Sequence, residues 1–106
     1  MKEEGLSAAD NMVLEAIDEV LSILGVNVKK SVYYFAEADY GLTREKTPSN
    51  LKKFHEGLHM LFGIGSYTLE KFIRSCLMKK FGVIVPEEKD LDLAEFVSRL
   101  KDMYRG

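Results

Sequence analysis

Five stretches of this sequence repeat apolar residues every three or four positions, and glycine or proline punctuation follows each of them. That spacing places the apolar side chains on one face of an α-helix, whereas a strand would need strict alternation. Gly25, Gly41 and Gly82 mark three of the ends, because glycine readily adopts the left-handed conformation that closes a helix. The pattern predicts an all-α fold, a compact bundle of about five helices with short glycine-terminated connections.

Each stretch supplies one stripe of the predicted core and has a candidate N-cap before it. We expect Leu42 to Asn50 to be a turn-rich loop and Val83 to Val85 to be an extended segment over the core. The stripes are Val13, Ile17, Val20, Leu21 and Leu24; Val28, Val32 and Phe35; Leu51, Phe54, Leu58, Leu61 and Phe62; Leu69, Phe72, Ile73, Cys76 and Leu77; and Leu93, Phe96, Val97, Leu100 and Tyr104. The candidate caps are Ser7, Asn27, Thr47 before Pro48, Ser66, and Asp90 or Asp92.

The length of 106 residues suits a single domain over residues 1–106, with residues 1–7 expected to form a flexible N-terminus. The hydrophobic share of 46% and charged share of 30% are those of a globular protein, and no window approaches the roughly 18 apolar residues of a membrane span. The acidic start lacks the features of a secretory signal, and Cys76 has no cysteine partner in the chain. We therefore expect a cytoplasmic protein without a membrane partner.

Charge is unevenly distributed although the net charge is only −2. Residues 1–25 carry −5, residues 26–81 carry +5, and residues 82–106 carry −2. A basic centre can attract an acidic partner, or it can lie against the acidic first helix inside the domain. We favour the second explanation.

His55, Glu56 and His59 spell the H-E-x-x-H pattern, which resembles the zincin metallopeptidases over five residues. The resemblance implies His55 and His59 as zinc ligands and Glu56 as general base. Glu70 is the nearest downstream acid that could add a third ligand, but no second motif singles it out. Gly57 within the motif indicates close helix approach more readily than catalysis. We expect no catalytic residue, metal or cofactor, and keep a zinc site at the histidines as an alternative.

Residues 61–73 resemble a helix-hairpin-helix module, in which a glycine-x-glycine turn presents backbone N–H groups to a phosphate. The similarity departs from that family at Phe62, where proline is preferred, and at Leu69, where a small residue is preferred. Nucleic-acid binding is therefore an alternative rather than the favoured function. The residues that such a site would use are Gly63, Gly65, Ser66, Lys71 and Arg74.

The second stretch spreads aromatic residues around the helix instead of confining them to one face. Such a helix needs covering on two sides, either within the domain or by a second chain. We predict a helix–helix interface at Tyr33, Tyr34, Ala38 and Tyr40, with absorption of these tyrosines into the core as the alternative.

Four stretches carry a wider resemblance: residues 16–25, 28–34, 61–65 and 77–82. Over most of residues 13–101, the chain resembles a small family of uncharacterised archaeal helical domains, found alone or as output domains of response regulators in ammonia-oxidising archaea. The resemblance implies an archaeal source and a regulatory or scaffolding role without chemistry. We therefore expect a non-enzymatic protein-interaction module that self-associates as a homodimer through helix–helix contacts.

Overall fold

The computed structural model describes residues 6–86 and 91–104, and within these ranges it is helical with no strand. The predicted all-α bundle is confirmed. The expected flexible segment over residues 1–7 falls largely outside the described residues. The helices are α1 (Ala8–Leu24), α2 (Val26–Tyr40), a 3₁₀ helix (Arg44–Ser49), α3 (Leu51–Phe62), α4 (Gly65–Phe81) and α5 (Leu93–Met103).

Two of the predicted N-caps are confirmed. The Ser7 side chain accepts a hydrogen bond from the backbone N–H of Asp10 at 3.0 Å, and α1 begins at the next residue. Asp92 accepts from the backbone N–H of Glu95 at 2.8 Å and starts α5. Each cap satisfies one of the N–H groups that a helix leaves without an internal partner. Asp90, the other candidate cap for α5, lies outside the described residues.

The predicted caps Asn27 and Ser66 are wrong, because both residues lie inside helices. α2 begins at Val26, immediately after Gly25, whose φ of 125° reverses the chain direction within a single residue. α4 begins at Gly65, so Ser66 is in its first turn, and no side chain caps this helix. In both junctions the backbone of a glycine-containing turn does the work that a capping side chain was expected to do.

The stretch from Leu42 to Asn50 is more regular than predicted, because most of it forms the 3₁₀ helix. Thr47 is fully buried there, and its hydroxyl donates to the backbone oxygen of Thr43 at 3.0 Å. The prediction that Thr47 and Pro48 start α3 is therefore wrong. α3 begins after Asn50, three residues beyond Thr47.

The core lies between α1 and α4, with α3 and α5 packed against α4 and α2 packed against α1 and α3. Ile17, Ile73 and Leu77 are completely inaccessible at its centre. Burying an aliphatic side chain of this size contributes about 2 kcal/mol. The segment Val83–Val85 is not helical, and its burial agrees with the prediction in part, because Val85 is 3% exposed whereas Ile84 is 78% exposed.

Three residues of the predicted stripes are exposed instead of buried. Leu24 is 46% exposed, Leu61 is 40% exposed and Phe72 is 59% exposed, whereas the other predicted stripe residues are buried or half-buried. Leu24 is the last residue of α1 and Leu61 is near the end of α3, so each stripe continues past the region that the bundle covers. The prediction of burial is wrong at these three positions.

Three acidic side chains of α1 are paired with bases from three other elements. The favoured explanation of the segregated charge holds in part, because Lys52, Lys53 and Lys71 of the basic centre are exposed, whereas Arg44 and Lys80 of that centre are among the paired bases. The charges are close enough for ion pairs in each case. Because these bases are neutralised within the domain, they are not part of a surface free to attract an acidic partner. The pairs are Asp10 with Lys101, Asp18 with Arg44, and Glu19 with Lys80.

No helix in the described part of the chain is both long enough and apolar enough to cross a membrane.

Candidate functional site

The first histidine of the H-E-x-x-H motif is bonded across to α4. His55 Nδ1 lies 2.6 Å from Glu70 Oε2, and Glu70 is only 3% exposed. Because a carboxylate only accepts, the imidazole donates its Nδ1–H to Glu70. The acid considered from the sequence as a third zinc ligand therefore binds the ring of His55 instead.

The second histidine makes a parallel contact one turn along both helices. His59 Nδ1 lies 3.3 Å from Ser66 Oγ, and Ser66 is fully buried. The ring of Tyr67 meets the His59 ring edge-on with 5.8 Å between centroids. Glu56, the residue that would act as general base, is exposed.

A peptidase centre needs a third protein ligand for zinc in addition to the two histidines. Within residues 6–86 and 91–104, no group of three or more His, Cys, Asp or Glu side chains is placed to hold a metal ion. The α3–α4 pair therefore supplies two imidazoles with oriented rings but not the constellation of a zinc hydrolase.

The glycine-x-glycine turn uses its amides within the turn itself. The N–H of Ser66 donates to Gly63 O at 3.0 Å, and the N–H of Tyr67 donates to Ile64 O at 3.1 Å. A phosphate site at a helix N-terminus relies on such groups pointing at the ligand. Together with the buried Ser66 hydroxyl, these bonds leave the turn poorly suited to the contact expected from the sequence, although Gly65 itself is exposed.

The two basic residues assigned to nucleic-acid binding have different surroundings. Lys71 is exposed, whereas Arg74 is half-buried, with its guanidinium 6.0 Å from the centre of the Phe96 ring on α5. An arginine held over an aromatic face is stabilised by the cation–π interaction and packs as part of the domain. Lys71 and Arg74 nevertheless line one pocket of about 260 Å³ together with Phe96, and none of Gly63, Gly65 and Ser66 is among its lining residues. The structure therefore brings the two bases together, but without the turn.

Tyr33 belongs to a polar cluster inside the domain. Its hydroxyl donates to Asp18 Oδ1 at 2.7 Å, and Arg44 Nε donates to Asp18 Oδ2 at 3.2 Å. Burial and the neighbouring carboxylate raise the pKa of Tyr33 above its ordinary value, so the hydroxyl remains a donor. Burial alone would raise the pKa of Asp18, but the hydrogen bonds from Arg44 and Tyr33 outweigh it and lower that pKa.

The other three predicted interface residues do not share one environment either. Tyr40 is half-buried, meets Phe35 edge-on at 6.0 Å between centroids, and covers Gly57, where an added Cβ would lie 3.6 Å from its ring. Tyr34 is 75% exposed, and Ala38 is exposed. The predicted surface is therefore divided, with Tyr33 and Tyr40 packed largely into the domain and Tyr34 and Ala38 facing solvent.

An open groove of about 370 Å³ lies between the second half of α1 and residues 69–79 of α4. Two of the residues that line it, Leu24 and Phe72, were predicted to be buried but are exposed. A third, Ile23, is 82% exposed. Ile23, Leu24 and Phe72 are therefore exposed together around one groove instead of as scattered single residues. The lining residues are Glu19, Val20, Ile23, Leu24, Leu69, Phe72, Ser75, Cys76 and Lys79.

Polar contacts border the groove at one end. Lys80 Nζ lies 2.6 Å from Glu19 Oε2, and the Cys76 thiol donates to Glu19 Oε1 at 3.4 Å. Burial, together with the nearby carboxylate, raises the pKa of Cys76. A thiol that resists ionisation is a poor nucleophile, so Cys76 serves the groove as a small wall residue.

The groove is the site that sequence reasoning missed. The available signal was the pair Ile23 and Leu24 directly before Gly25, because apolar residues in the last turn of a helix can extend beyond the part that neighbouring helices cover. Comparison with known proteins adds no identification, since no family model, curated protein or solved structure matches the chain.

Proposed function

We propose that this chain is a non-enzymatic protein-interaction module that self-associates through helix–helix contacts at the α1–α4 groove. The observation that carries the proposal is the exposure of Ile23, Leu24 and Phe72 around one apolar groove. Apolar side chains exposed together lose contact with water when a second surface covers them, which is the main driving force of association.

A second copy of the chain is the occupant that the charges of the groove fit. Glu19 stands on the α1 wall and Lys79 on the α4 wall. In a two-fold dimer each residue contacts the reciprocal residue of the other copy. A packing that lays α1 of one copy on α4 of the other brings Lys79 of one copy near Glu19 of the other, where it adds a second positive charge to the pair that Glu19 makes with Lys80 of its own chain.

This proposal moves the contact away from the tyrosines of α2, because Tyr33 and Tyr40 already have partners inside the domain. It agrees with the regulatory or scaffolding role that the archaeal resemblance implies, since a domain of that kind is recruited by contact. Nucleic-acid binding at residues 61–73 is less favoured, because the amides of Ser66 and Tyr67 are bonded within the turn.

The test is the molar mass of the chain across a concentration series, measured by sedimentation equilibrium. We expect a concentration-dependent dimer that Phe72→Glu abolishes, because a carboxylate in an apolar contact is costly to desolvate. Tyr34→Glu is the matched control, because it introduces the same charge at another exposed aromatic residue, on α2, where Tyr34 is 75% exposed and Phe72 is 59% exposed.

The outcomes separate the alternatives. A wild-type chain that stays monomeric throughout the series would contradict self-association. A dimer lost in Tyr34→Glu and kept in Phe72→Glu would return the interface to α2. Binding to duplex or single-stranded DNA that weakens linearly with the logarithm of salt concentration would favour the nucleic-acid alternative.

A further inference from the structure

Both histidines of the chain lie on α3, one turn apart, and both are bonded to α4. His55 contacts Glu70 at 2.6 Å and His59 contacts Ser66 at 3.3 Å, each through Nδ1. Since Ser66 and Glu70 are also four residues apart, the contacts form two successive rungs between the helices. We call this set of four residues the histidine ladder.

The ladder determines which nitrogen of each ring is available. The carboxylate of Glu70 accepts from Nδ1–H of His55, which leaves Nε2 of that ring to coordinate. The Ser66 hydroxyl can accept from Nδ1–H of His59 in the same way, and in that tautomer Nε2 of His59 is the coordinating atom. Histidines that bind metals commonly donate the opposite ring N–H to a carboxylate or another oxygen, which orients the ring and makes the free nitrogen more basic. Glu70 is buried and acidic, so it suits this supporting role for His55.

The spacing and exposure of the two rings favour joint binding of one ion. Side chains four residues apart on a helix are neighbours about 5–6 Å apart at Cβ. His55 is 31% exposed at its side chain and His59 is exposed, so an ion can approach from solvent. The edge-on contact of Tyr67 gives the His59 ring a second neighbour besides Ser66.

We propose that His55 and His59 form an open two-histidine site for a divalent transition-metal ion, with Glu70 and Ser66 as positioning residues. Imidazole ligands suit Zn²⁺, Cu²⁺ and Ni²⁺ rather than Ca²⁺ or Mg²⁺. Because no group of three or more candidate ligands occurs among the described residues, solvent fills the other positions. This inference concerns a different surface from the groove and does not depend on self-association.

Calorimetric titration of the untagged chain with Zn²⁺ tests the site. We expect saturable binding that weakens at least about 10-fold in His55→Ala and in His59→Ala, because each substitution removes one of the two protein ligands. Circular dichroism of each variant establishes that it is folded. His55→Ala could unfold, because Glu70 loses its partner. In that case His59→Gln still tests whether the histidines bind Zn²⁺, since it leaves the contact between His55 and Glu70 in place.

Glu70→Gln and Glu56→Gln form a matched pair that tests the supporting role of the ladder. We expect Glu70→Gln to weaken Zn²⁺ binding about 10-fold, the lower end of the range for loss of a partner behind a metal-binding histidine. Glu56→Gln makes the same change of charge beside His55 without touching the ladder, and its Zn²⁺ affinity should equal that of the wild type.

Three results would overturn the proposal. They are the absence of saturable Zn²⁺ binding to the wild-type chain, binding that folded His59→Ala or His59→Gln retains in full, and equal losses in Glu70→Gln and Glu56→Gln. The last result would indicate general attraction of a cation to negative charge rather than a supported imidazole.

Discussion

The contact between α1 and α4 is closed at one end and open at the other. At the closed end Ile17 and Leu77 are completely inaccessible, and Lys80 bridges Glu15 and Glu19 at 3.7 and 2.6 Å over the surface. At the open end the same two helices leave Ile23 and Phe72 exposed beside the groove.

The two ends of this helix pair therefore differ in how completely the helices cover their apolar residues. A bundle of this size depends on its closed core for stability, because the net free energy of folding of such a domain is only about 5–15 kcal/mol. Exposed apolar residues at the open end contribute little to folding of the monomer. Their exposure is the observation on which the proposed self-association rests.

The largest expected effect is a loss of stability on truncating a core residue at the closed end. Leu77→Ala, at the closed end, should lower the free energy of unfolding by about 3 kcal/mol, because it leaves a cavity in the core. Phe72→Ala, on the same helix at the open end, should change it by less than about 0.5 kcal/mol. Urea unfolding at low protein concentration, followed by circular dichroism, measures both. Similar losses in the two variants would mean that the open end belongs to the core.

A second substitution measures how much the polar contacts of Asp18 on α1 contribute to stability. Asp18→Asn removes the charge that Arg44 and Tyr33 bind, and should cost about 2 kcal/mol, as expected for hydrogen bonds to a charged group. Tyr33→Phe, which removes one of these bonds, should cost about 1 kcal/mol. A larger loss in Tyr33→Phe than in Asp18→Asn would show that the ring, not the charge, holds α2 to α1.

The contribution of Asp18 to the free energy of unfolding should depend on pH. Because the pKa of Asp18 in the folded chain is below its ordinary value of 3.8, its ionised form stabilises the fold above that pH. The stability difference between wild type and Asp18→Asn should be constant at neutral pH and should shrink as the pH falls below 3.8 through the folded pKa. Urea unfolding over a pH series tests this, and a difference independent of pH would exclude the charge as its source.

The smallest expected effect compares two adjacent lysines of α4. Lys80→Ala removes the exposed ion pairs with Glu15 and Glu19, so it should lower stability slightly at low salt and have no effect at high salt. Lys79→Ala, at the wall of the groove, should leave stability unchanged and weaken the dimer instead. Loss of stability in both variants at all salt concentrations would remove the distinction between them.

Much of the fold could be predicted from the sequence because local rules apply to it directly. The spacing of the apolar residues around Ile17, around Ile73 and around Leu100 indicated three helices and their buried faces. Ser7 and Asp92 were recognisable caps. These features depend on residues within one turn of each other. The caps at Asn27 and Ser66 failed because glycine turns began those helices earlier than a capping side chain would require.

The candidate sites depended on the tertiary structure to a greater degree. The sequence by itself determined an all-helical domain, an acidic first helix and a histidine pair on one helix, since periodicity, charge and spacing are local properties. Only the packing of the helices brought Glu70 to His55, gave Tyr33 a partner in Asp18, and left Phe72 outside the core. A helical pattern states which face is apolar, but how far along that face another helix covers it is decided by where the helices cross.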